Sequence, residues 1–226
     1  KVVQDDIRYL SQYQEGAMME AERKLLLPNH PFSVTATEED VSFYTDPEDL
    51  KRFQSLSCVP SNSELTIVGA FDLEEGIKLA CKYFGSISPG ENPEIPFRYF
   101  EAEFPQGNTK RIIYKGIENR CLGSIIFPGC MTYDEDKTAM SVLAKIMDLR
   151  CWEKVREEKS LAYAAYAYSA PSTIIKGHGT FEVGFGTDPD KVDELINTVM
   201  IEIKDIQTNG PTEKELDSAK KILISS

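Results

Sequence analysis

Arg156 and Tyr163 are the two residues of this sequence whose side chains could together stabilise negative charge on a reacting group. A guanidinium donates hydrogen bonds to carbonyl oxygens, and a phenol can donate to the oxyanion of a tetrahedral intermediate. Arg156 falls at the end of a predicted long helix and Tyr163 at the start of the next strand, so a short turn can aim both at one place. Spacing alone favours a simpler interpretation, in which Arg156 is a solvated helix-end cation and Tyr163 a strand aromatic.

The histidines and cysteines do not predict a self-contained metal site. His30 and His178 lie far apart, and neither stands in an H-x-x-E-H motif or beside a C-x-x-C pair. With only two histidines, a Ser-His-Asp triad is also hard to assemble. We expect both histidines to be structural. The five cysteines are odd in number and most lie in apolar stretches, so buried free thiols are predicted at Cys58, Cys81, Cys121, Cys130 and Cys151.

Composition describes an acidic globular chain of 226 residues, 41% apolar and 27% charged, with a formal net charge of −12. This charge argues against nucleic acid as a partner, because phosphates require a basic surface. It also fits poorly with an anionic membrane surface. No apolar run reaches the about 18 residues of a membrane span, so none is predicted. A weaker functional interpretation is that acidic walls favour basic peptide substrates.

Patterns in the first part of the chain predict mostly helix. The chain reads as helix from residue 1 to about Leu27, where two prolines end it. Acidic turns preceded by threonine predict helix starts at Thr37 and Thr45, and Asp72 is predicted to cap a helix from Leu73 to Phe84. The β-branched run Leu65–Phe71 predicts a buried strand.

Prolines and glycine at 86–106 predict a linker, and a second set of elements follows it. A long helix is predicted from about residue 134 to 158, with Trp152 in the core. Thr187-Asp188-Pro189 predicts a helix cap, and a last helix begins at Thr212. The whole pattern is α+β. Four strands are predicted here, at Arg111–Lys115, Cys121–Pro128, Tyr163–Ala170 and Ile174–Gly186, the last two as an antiparallel pair.

Two stretches carry a resemblance to a known family. Residues 65–72, LTIVGAFD, with KYFG at 82–85 resemble a segment that closes one domain of the pitrilysin-type (M16) zinc metallopeptidases. Residues 155–163, VREEKSLAY, resemble the family element L-R-E-x-x-G-L-A-Y of the following domain. TDPDKV at 187–192 and GPTEKEL at 210–216 support the match. Together they cover nearly the whole chain in the family's order.

The resemblance implies two consecutive M16-type units, each an antiparallel sheet packed against helices. Residues 1–88 are then the C-terminal part of one domain, the third of four. Residues 89–106 are the proline-rich linker, and residues 107–226 are most of the following domain, truncated at its C-terminus. In this family two domains form a half, and two halves enclose a chamber that admits peptides.

The same resemblance implies a division of labour between the halves. Zinc lies in the N-terminal half, on an inverted H-x-x-E-H helix with a downstream Glu, so no cofactor is expected in this fragment. Arg156 then binds the peptide substrate, and Tyr163 both binds it and acts in catalysis by polarising the carbonyl. Asp6 stands where the downstream zinc Glu is expected, and we interpret it as a degenerate ligand position with no metal. Ser160 replaces a glycine that is common before Leu161.

Three hypotheses follow. The first is that the chain is the substrate-binding, non-zinc part of an M16 metalloendopeptidase, inactive alone, whose partners are a peptide and the N-terminal catalytic half. The second is a non-catalytic M16-like binding or assembly subunit, against which the Arg–Tyr pair argues. The third is a two-domain member whose zinc helix lies just upstream of residue 1, against which Asp6 argues.

Overall fold

Helices make up most of the chain that the computed structural model describes, namely residues 2–43, 46–90, 100–115 and 118–225. Contacts divide the chain into two units. One comprises residues 1–4 and 36–98, and the other residues 5–35 and 99–226. Residues 5–35 thus pack with the unit that contains Arg156 and Tyr163. The division of the sequence into two M16 domains at 89–106 stays a prediction.

Side-chain caps start the helices of the first unit. Asp46 accepts a hydrogen bond from the Glu48 backbone N–H (2.9 Å), and Asp72 accepts one from Glu75 (2.9 Å). These bonds satisfy backbone donors that a helix leaves free in its first turn. The helix starts predicted near these residues are confirmed. The helices are α3 (Glu38–Phe43), α4 (Pro47–Ser57) and α5 (Leu73–Tyr83), with a 3₁₀ turn at Pro60–Asn62.

The buried strand predicted at Leu65–Phe71 is wrong. This segment has no regular structure, and its apolar side chains are exposed, Val68 to 92%. A strand requires a neighbour to pair its backbone groups. The described residues of this unit contain no strand beside it. The apolar side chains of Ile77 on α5 and of Phe84 directly after it are exposed as well.

The helix predicted over residues 1–27 is two helices, α1 (Val2–Gln12) and α2 (Gln14–Leu26). The chain turns at Tyr13, whose backbone is extended. Gly16 permits the turn, because a Cβ at this position would lie 1.8 Å from the Leu10 carbonyl oxygen. After α2 the chain passes through a 3₁₀ turn at Pro31–Ser33.

Three antiparallel strands form the main sheet, in the order β2-β5-β3. These are β2 (Cys121–Pro128), β3 (Ala164–Ala170) and β5 (Thr180–Thr187). The predicted pairing of the last two is confirmed. A second, two-stranded sheet pairs β1 (Phe100–Glu101) in parallel with β4 (Ile175–Lys176).

Two strand predictions in this unit are wrong. Ile174–Gly186 is two strands, because Gly177 adopts a positive φ of 73° and turns the chain between them. Arg111–Lys115 is not a strand, and Tyr114 is 92% exposed. No strand pairs with this segment among the described residues, so its β-branched side chains have no sheet face to pack on.

Helices cover one face of the main sheet. α6 (Lys137–Arg150) runs directly into a π-helix (Cys151–Glu158), as the long predicted helix requires. α7 (Val192–Asn209) follows a 3₁₀ turn, and α8 (Glu213–Ser225) begins at a capping box in which Thr212 and Glu215 exchange hydrogen bonds. The core between helices and sheet comprises Ala144, Met147, Cys151, Val155, Leu161, Ala167, Phe181, Val183, Phe185, Leu195 and Val199.

Arg150 joins the three helices on the far side of this core. Its guanidinium donates to Glu215 (2.6 and 3.2 Å), Asp205 (2.7 Å) and Glu202 (3.2 Å). The hydrogen bonds from Arg150 lower the pKa of Glu215 to about 2. We call these four residues the Arg150 cluster.

Two expectations about burial are corrected. Trp152 was expected in the core, but it projects from the π-helix and is half exposed. It follows core residue Cys151 directly, and adjacent residues of a helix do not share a face. All five cysteines are free, yet Cys58 and Cys81 are exposed because the unit that holds them leaves much of its apolar surface uncovered.

Candidate functional site

A reversal of the chain after the π-helix brings Arg156 and Tyr163 to the same place. Ser160 lies in the left-handed region, with φ of 51°. Its N–H bonds to the Arg156 carbonyl (3.1 Å), and the Leu161 N–H bonds back to Val155 (2.9 Å). This closure resembles the Schellman motif, in which a left-handed residue ends a helix. Leu161 is then buried in the core, which fixes the direction of the next strand.

Tyr163 lies directly before β3, and both of its hydrogen bonds are made to the neighbouring strand β5. Its N–H donates to the Gly186 carbonyl (3.1 Å), and its phenol donates to the Thr187 carbonyl (3.2 Å). The ring lies over Gly186, since a Cβ there would lie 2.6 Å from a ring carbon. Thr187 is itself buried, and its hydroxyl donates to the Leu161 carbonyl. The tyrosine is therefore placed by a connected set of contacts, while 49% of its surface remains exposed.

Arg156 and Tyr163 line one open concavity of about 380 Å³. Residues of the turn between them and residues that precede α7 complete its lining. The sequence argument that a short turn can aim both side chains at one place is thus matched by their positions. The full lining is Arg156, Glu157, Ser160, Leu161, Ala162, Tyr163, Asp188 and Lys191.

The two cations of the concavity differ in their partners. Lys191 is paired with Asp188 (2.8 Å). Arg156 is exposed, and within the described residues no carboxylate lies at ion-pair distance from its guanidinium. Five N–H donors are thus available there to a ligand. A planar guanidinium in this state suits a carbonyl or carboxylate oxygen.

The Tyr163 phenol is a donor at neutral pH. Partial burial raises its pKa above the ordinary value, and Asp188 adds to the effect against the opposing charge of Arg120. A phenol that keeps its proton can donate to an oxygen that becomes negative. Since it already donates to the Thr187 carbonyl, a ligand oxygen would take over this bond.

The other residues considered for metal binding lie elsewhere. Asp6 is exposed on α1, outside the lining of the concavity. His30 Nδ1 accepts a hydrogen bond from the Phe32 N–H (3.1 Å), and His178 Nε2 bonds to the Leu26 carbonyl (2.7 Å), so both have the structural contacts expected of them. The described residues contain no group of three His, Cys, Asp or Glu that could hold a metal ion. The His, Cys, Asp and Glu side chains of the described residues therefore do not form a site that fits zinc.

Sequence reasoning missed several residues around the concavity. Asp188 was interpreted only as a helix cap, but its side chain makes no capping bond and instead pairs with Lys191. The i, i+3 spacing of opposite charges was the available signal. The alternation of residue types predicts Tyr163, Ala165 and Ala167 on one strand face and Tyr166 and Tyr168 on the other. The register confirms this for the residues of β3, whereas the Tyr163 ring lies over Gly186, on the face of Tyr166.

Comparison with known proteins gives a family match. A sequence model of the family described as Peptidase M16 inactive domain matches residues 45–223. The chain is similar to the zinc protease PQQL-like of Arabidopsis thaliana, with 24% identity over 184 residues, 75% of this chain and 19% of the relative. It is also similar to the uncharacterized zinc protease YmxG of Bacillus subtilis (strain 168), with 23% identity over 234 residues, 100% of this chain and 54% of the relative. The chain thus spans about half of one relative and a fifth of the other.

Solved structures show the same fold. A peptidase M16 inactive domain from Pseudomonas fluorescens has a TM-score of 0.78 at 19% identity, covering 99% of this chain and 54% of that chain. A protease from Helicobacter pylori has a TM-score of 0.83 at 19% identity, covering 99% and 55%. Both agree with the predicted α+β architecture. None of the described helices is both long and apolar enough to cross a bilayer.

Proposed function

The chain belongs to the M16 peptidase inactive-domain family, and from this we propose that it is the substrate-binding, non-zinc part of a zinc metalloendopeptidase, in which Arg156 and Tyr163 bind the peptide backbone. The observation that carries the proposal is the shared concavity. There an exposed guanidinium with no carboxylate partner among the described residues lies beside a positioned, protonated phenol. The relatives named zinc proteases support the reaction class.

Each residue has a role that follows from its chemistry. Arg156 donates to carbonyl oxygens of an extended peptide and holds it in register. Tyr163 donates to the carbonyl oxygen at the reacting bond, and this hydrogen bond strengthens as the oxygen becomes negative. We propose that the zinc ion and the general base come from another half of the parent protein, since the described residues of this chain provide no such site.

The kinetics of the full-length polypeptide test these roles. We expect Tyr163→Phe to lower kcat by about 10²–10³-fold, the usual cost of removing one oxyanion donor. Arg156→Ala should mainly raise KM, because it contacts substrate and transition state alike. Tyr114→Phe is the control, since Tyr114 is 92% exposed and outside the concavity. An unchanged kcat in Tyr163→Phe would remove its catalytic role.

The alternative, a non-catalytic binding or assembly subunit, gives a different result. The polypeptide upstream of residue 1 would then lack an H-x-x-E-H motif, and the purified full-length protein would bind peptides without hydrolysing them. In that case Arg156→Ala would still weaken peptide binding, whereas Tyr163→Phe would have no rate to change.

A further inference from the structure

A row of tyrosines continues from the concavity along strand β3. Tyr163, Tyr166 and Tyr168 are 49%, 45% and 41% exposed. The register places Tyr166 opposite Gly184, which pairs in turn with Ser124 on β2, and Tyr168 opposite Glu182. Tyr166 and Tyr168 therefore lie on the sheet face opposite the core, and the Tyr163 ring lies over Gly186 on the same face. We call the three of them the tyrosine row.

Two glycines of β5 let the rings lie flat on the sheet. A Cβ at Gly184 would lie 2.4 Å from the Tyr166 ring, and a Cβ at Gly186 would lie 2.6 Å from the Tyr163 ring. The rings of Tyr166 and Tyr168 are nearly parallel, with centroids 6.1 Å apart and an interplanar angle of 22°. The exposed parts of these rings are accessible to a ligand. Ring faces carry the negative part of the aromatic quadrupole and attract cations.

Two carboxylates add negative charge at this face. Glu182 is only 5% exposed and accepts a hydrogen bond from the Tyr168 phenol (2.5 Å). Glu22 on α2 accepts one from Ser124 (3.3 Å), in the same cross-strand row as Tyr166. Burial and the repulsion of Glu182 both raise the pKa of Glu22. Neither carboxylate has an ion-pair partner among the described residues, so their charge is balanced by no cation there.

We propose that the tyrosine row binds the side chain of a lysine or arginine in the bound peptide, with its cation held against the exposed rings of Tyr166 and Tyr168 and attracted by the nearby carboxylates of Glu22 and Glu182. This rests on the proposed function, because the row shares Tyr163 with the concavity that holds the peptide backbone. Charge complementarity selects the occupant: an apolar side chain would stack on the rings but leave both carboxylates unbalanced. The substrate class is therefore peptides with a basic residue near the backbone segment that contacts Arg156.

Matched peptides test the proposal on unaltered full-length protein. Short labelled peptides carry a single lysine that is moved along an otherwise neutral sequence, and each has a partner with norleucine, which keeps the chain length and removes the charge. Affinity is measured by fluorescence anisotropy. At one register we expect the lysine peptide to bind roughly five- to thirty-fold more tightly, the range for a partly desolvated cation–π contact. The preference should decrease as salt is added.

Variants locate the preference. Glu22→Gln keeps the hydrogen bond to Ser124 possible and removes one charge, so it should reduce the lysine preference several-fold. Glu20→Gln is the matched control on the same helix, because Glu20 is paired with Lys24 and should leave the preference unchanged. Tyr166→Leu removes a ring face and should lower lysine affinity more than norleucine affinity. Circular dichroism confirms that each variant is folded.

The outcomes separate this proposal from the proposed function. Equal affinity for lysine and norleucine at every register would overturn the tyrosine row as a cation site. If Arg156→Ala still weakened both peptides, the proposed function would stand without it. If Arg156→Ala left both affinities unchanged, the proposed function would fail, and a lysine preference that Glu22→Gln removes would then support the row alone. A preference that Glu22→Gln and Tyr166→Leu do not alter would place the cation elsewhere and refute the proposal.

Discussion

Arg150 and Arg156 lie six residues apart on one continuous helical segment, yet their surroundings are opposite. The Arg150 side chain is 9% exposed, and its guanidinium donates to three carboxylates from α7 and α8. The Arg156 guanidinium is exposed at the rim of the concavity, and the described residues offer it no carboxylate. The hydrogen-bonding capacity of Arg150 is used within the fold, whereas that of Arg156 is not used by any carboxylate of the described residues.

The difference shows how a structural and a binding role can be told apart for one residue type. A buried charge must be paired, so a structural arginine is already neutralised by carboxylates of the fold before any ligand arrives. A binding arginine must be accessible and must not be neutralised in advance. Under the proposed function, we expect changes in the Arg150 cluster to alter stability and changes in the concavity to alter ligand affinity.

Removing Arg150 should have the largest effect on stability. Arg150→Ala leaves Glu215, Asp205 and Glu202 crowded together without their cation. We expect the free energy of unfolding to fall by about 3–5 kcal/mol, the usual cost of breaking a buried ion pair from one side. Urea denaturation followed by circular dichroism measures it. Lys154→Ala, which breaks an exposed pair with Glu158 on the same segment, should have a much smaller effect, because solvent screens such pairs. Similar values for both would contradict the distinction.

Glu215 gives a smaller effect that depends on pH. Its hydrogen bonds from Arg150 hold its pKa at about 2, below the model-compound value of 4.5. The stabilisation is therefore complete above about pH 5 and is lost as the pH falls from 4.5 towards 2. Glu215→Gln should lower the free energy of unfolding by about 1–3 kcal/mol at neutral pH. The gap between wild type and variant should close on acidification, and a gap that is constant down to pH 2 would exclude this cause.

Local signals predicted the helices better than the strands. Caps such as Asp72 and Thr212 are read within one turn of chain, and the structure has those helices where the sequence placed them. A strand depends on a partner that may lie far along the chain. Two segments with β-branched side chains, Leu65–Phe71 and Arg111–Lys115, have no neighbouring strand in the described residues. Their local composition therefore predicted strands that the structure does not contain.

The candidate site was predictable where it depends on local order and not where it depends on pairing across the sheet. Arg156 and Tyr163 flank one turn, and their proximity follows from the helix end. The position of Tyr166 over Gly184 follows from the register between β3 and β5, which no single window of the sequence contains. The Arg150 cluster likewise joins residues more than fifty positions apart.

The turn that joins the two halves of the site carries backbone strain that one substitution should relieve. Ser160 has φ of 51°, where a side chain is disfavoured and glycine is not. Ser160→Gly should raise the free energy of unfolding by about 0.5–1 kcal/mol, since the relief exceeds the entropy that glycine adds to the unfolded chain. Ser160→Ala keeps the Cβ and should give no gain. If both variants were stabilised equally, the hydroxyl and not the φ angle would be the cause.

Arg156→Ala should have the smallest effect on stability, and it is the most direct test of the comparison between Arg150 and Arg156. Because its guanidinium has no carboxylate partner in the described structure, Arg156→Ala should change the free energy of unfolding by less than about 0.5 kcal/mol. The same substitution should weaken peptide binding by roughly tenfold or more, since a hydrogen bond from a charged donor is lost. Denaturation and anisotropy on the same preparation measure both. A loss of stability close to that of Arg150→Ala, with unchanged peptide affinity, would make Arg156 a second structural arginine and leave the concavity without its ligand-binding cation.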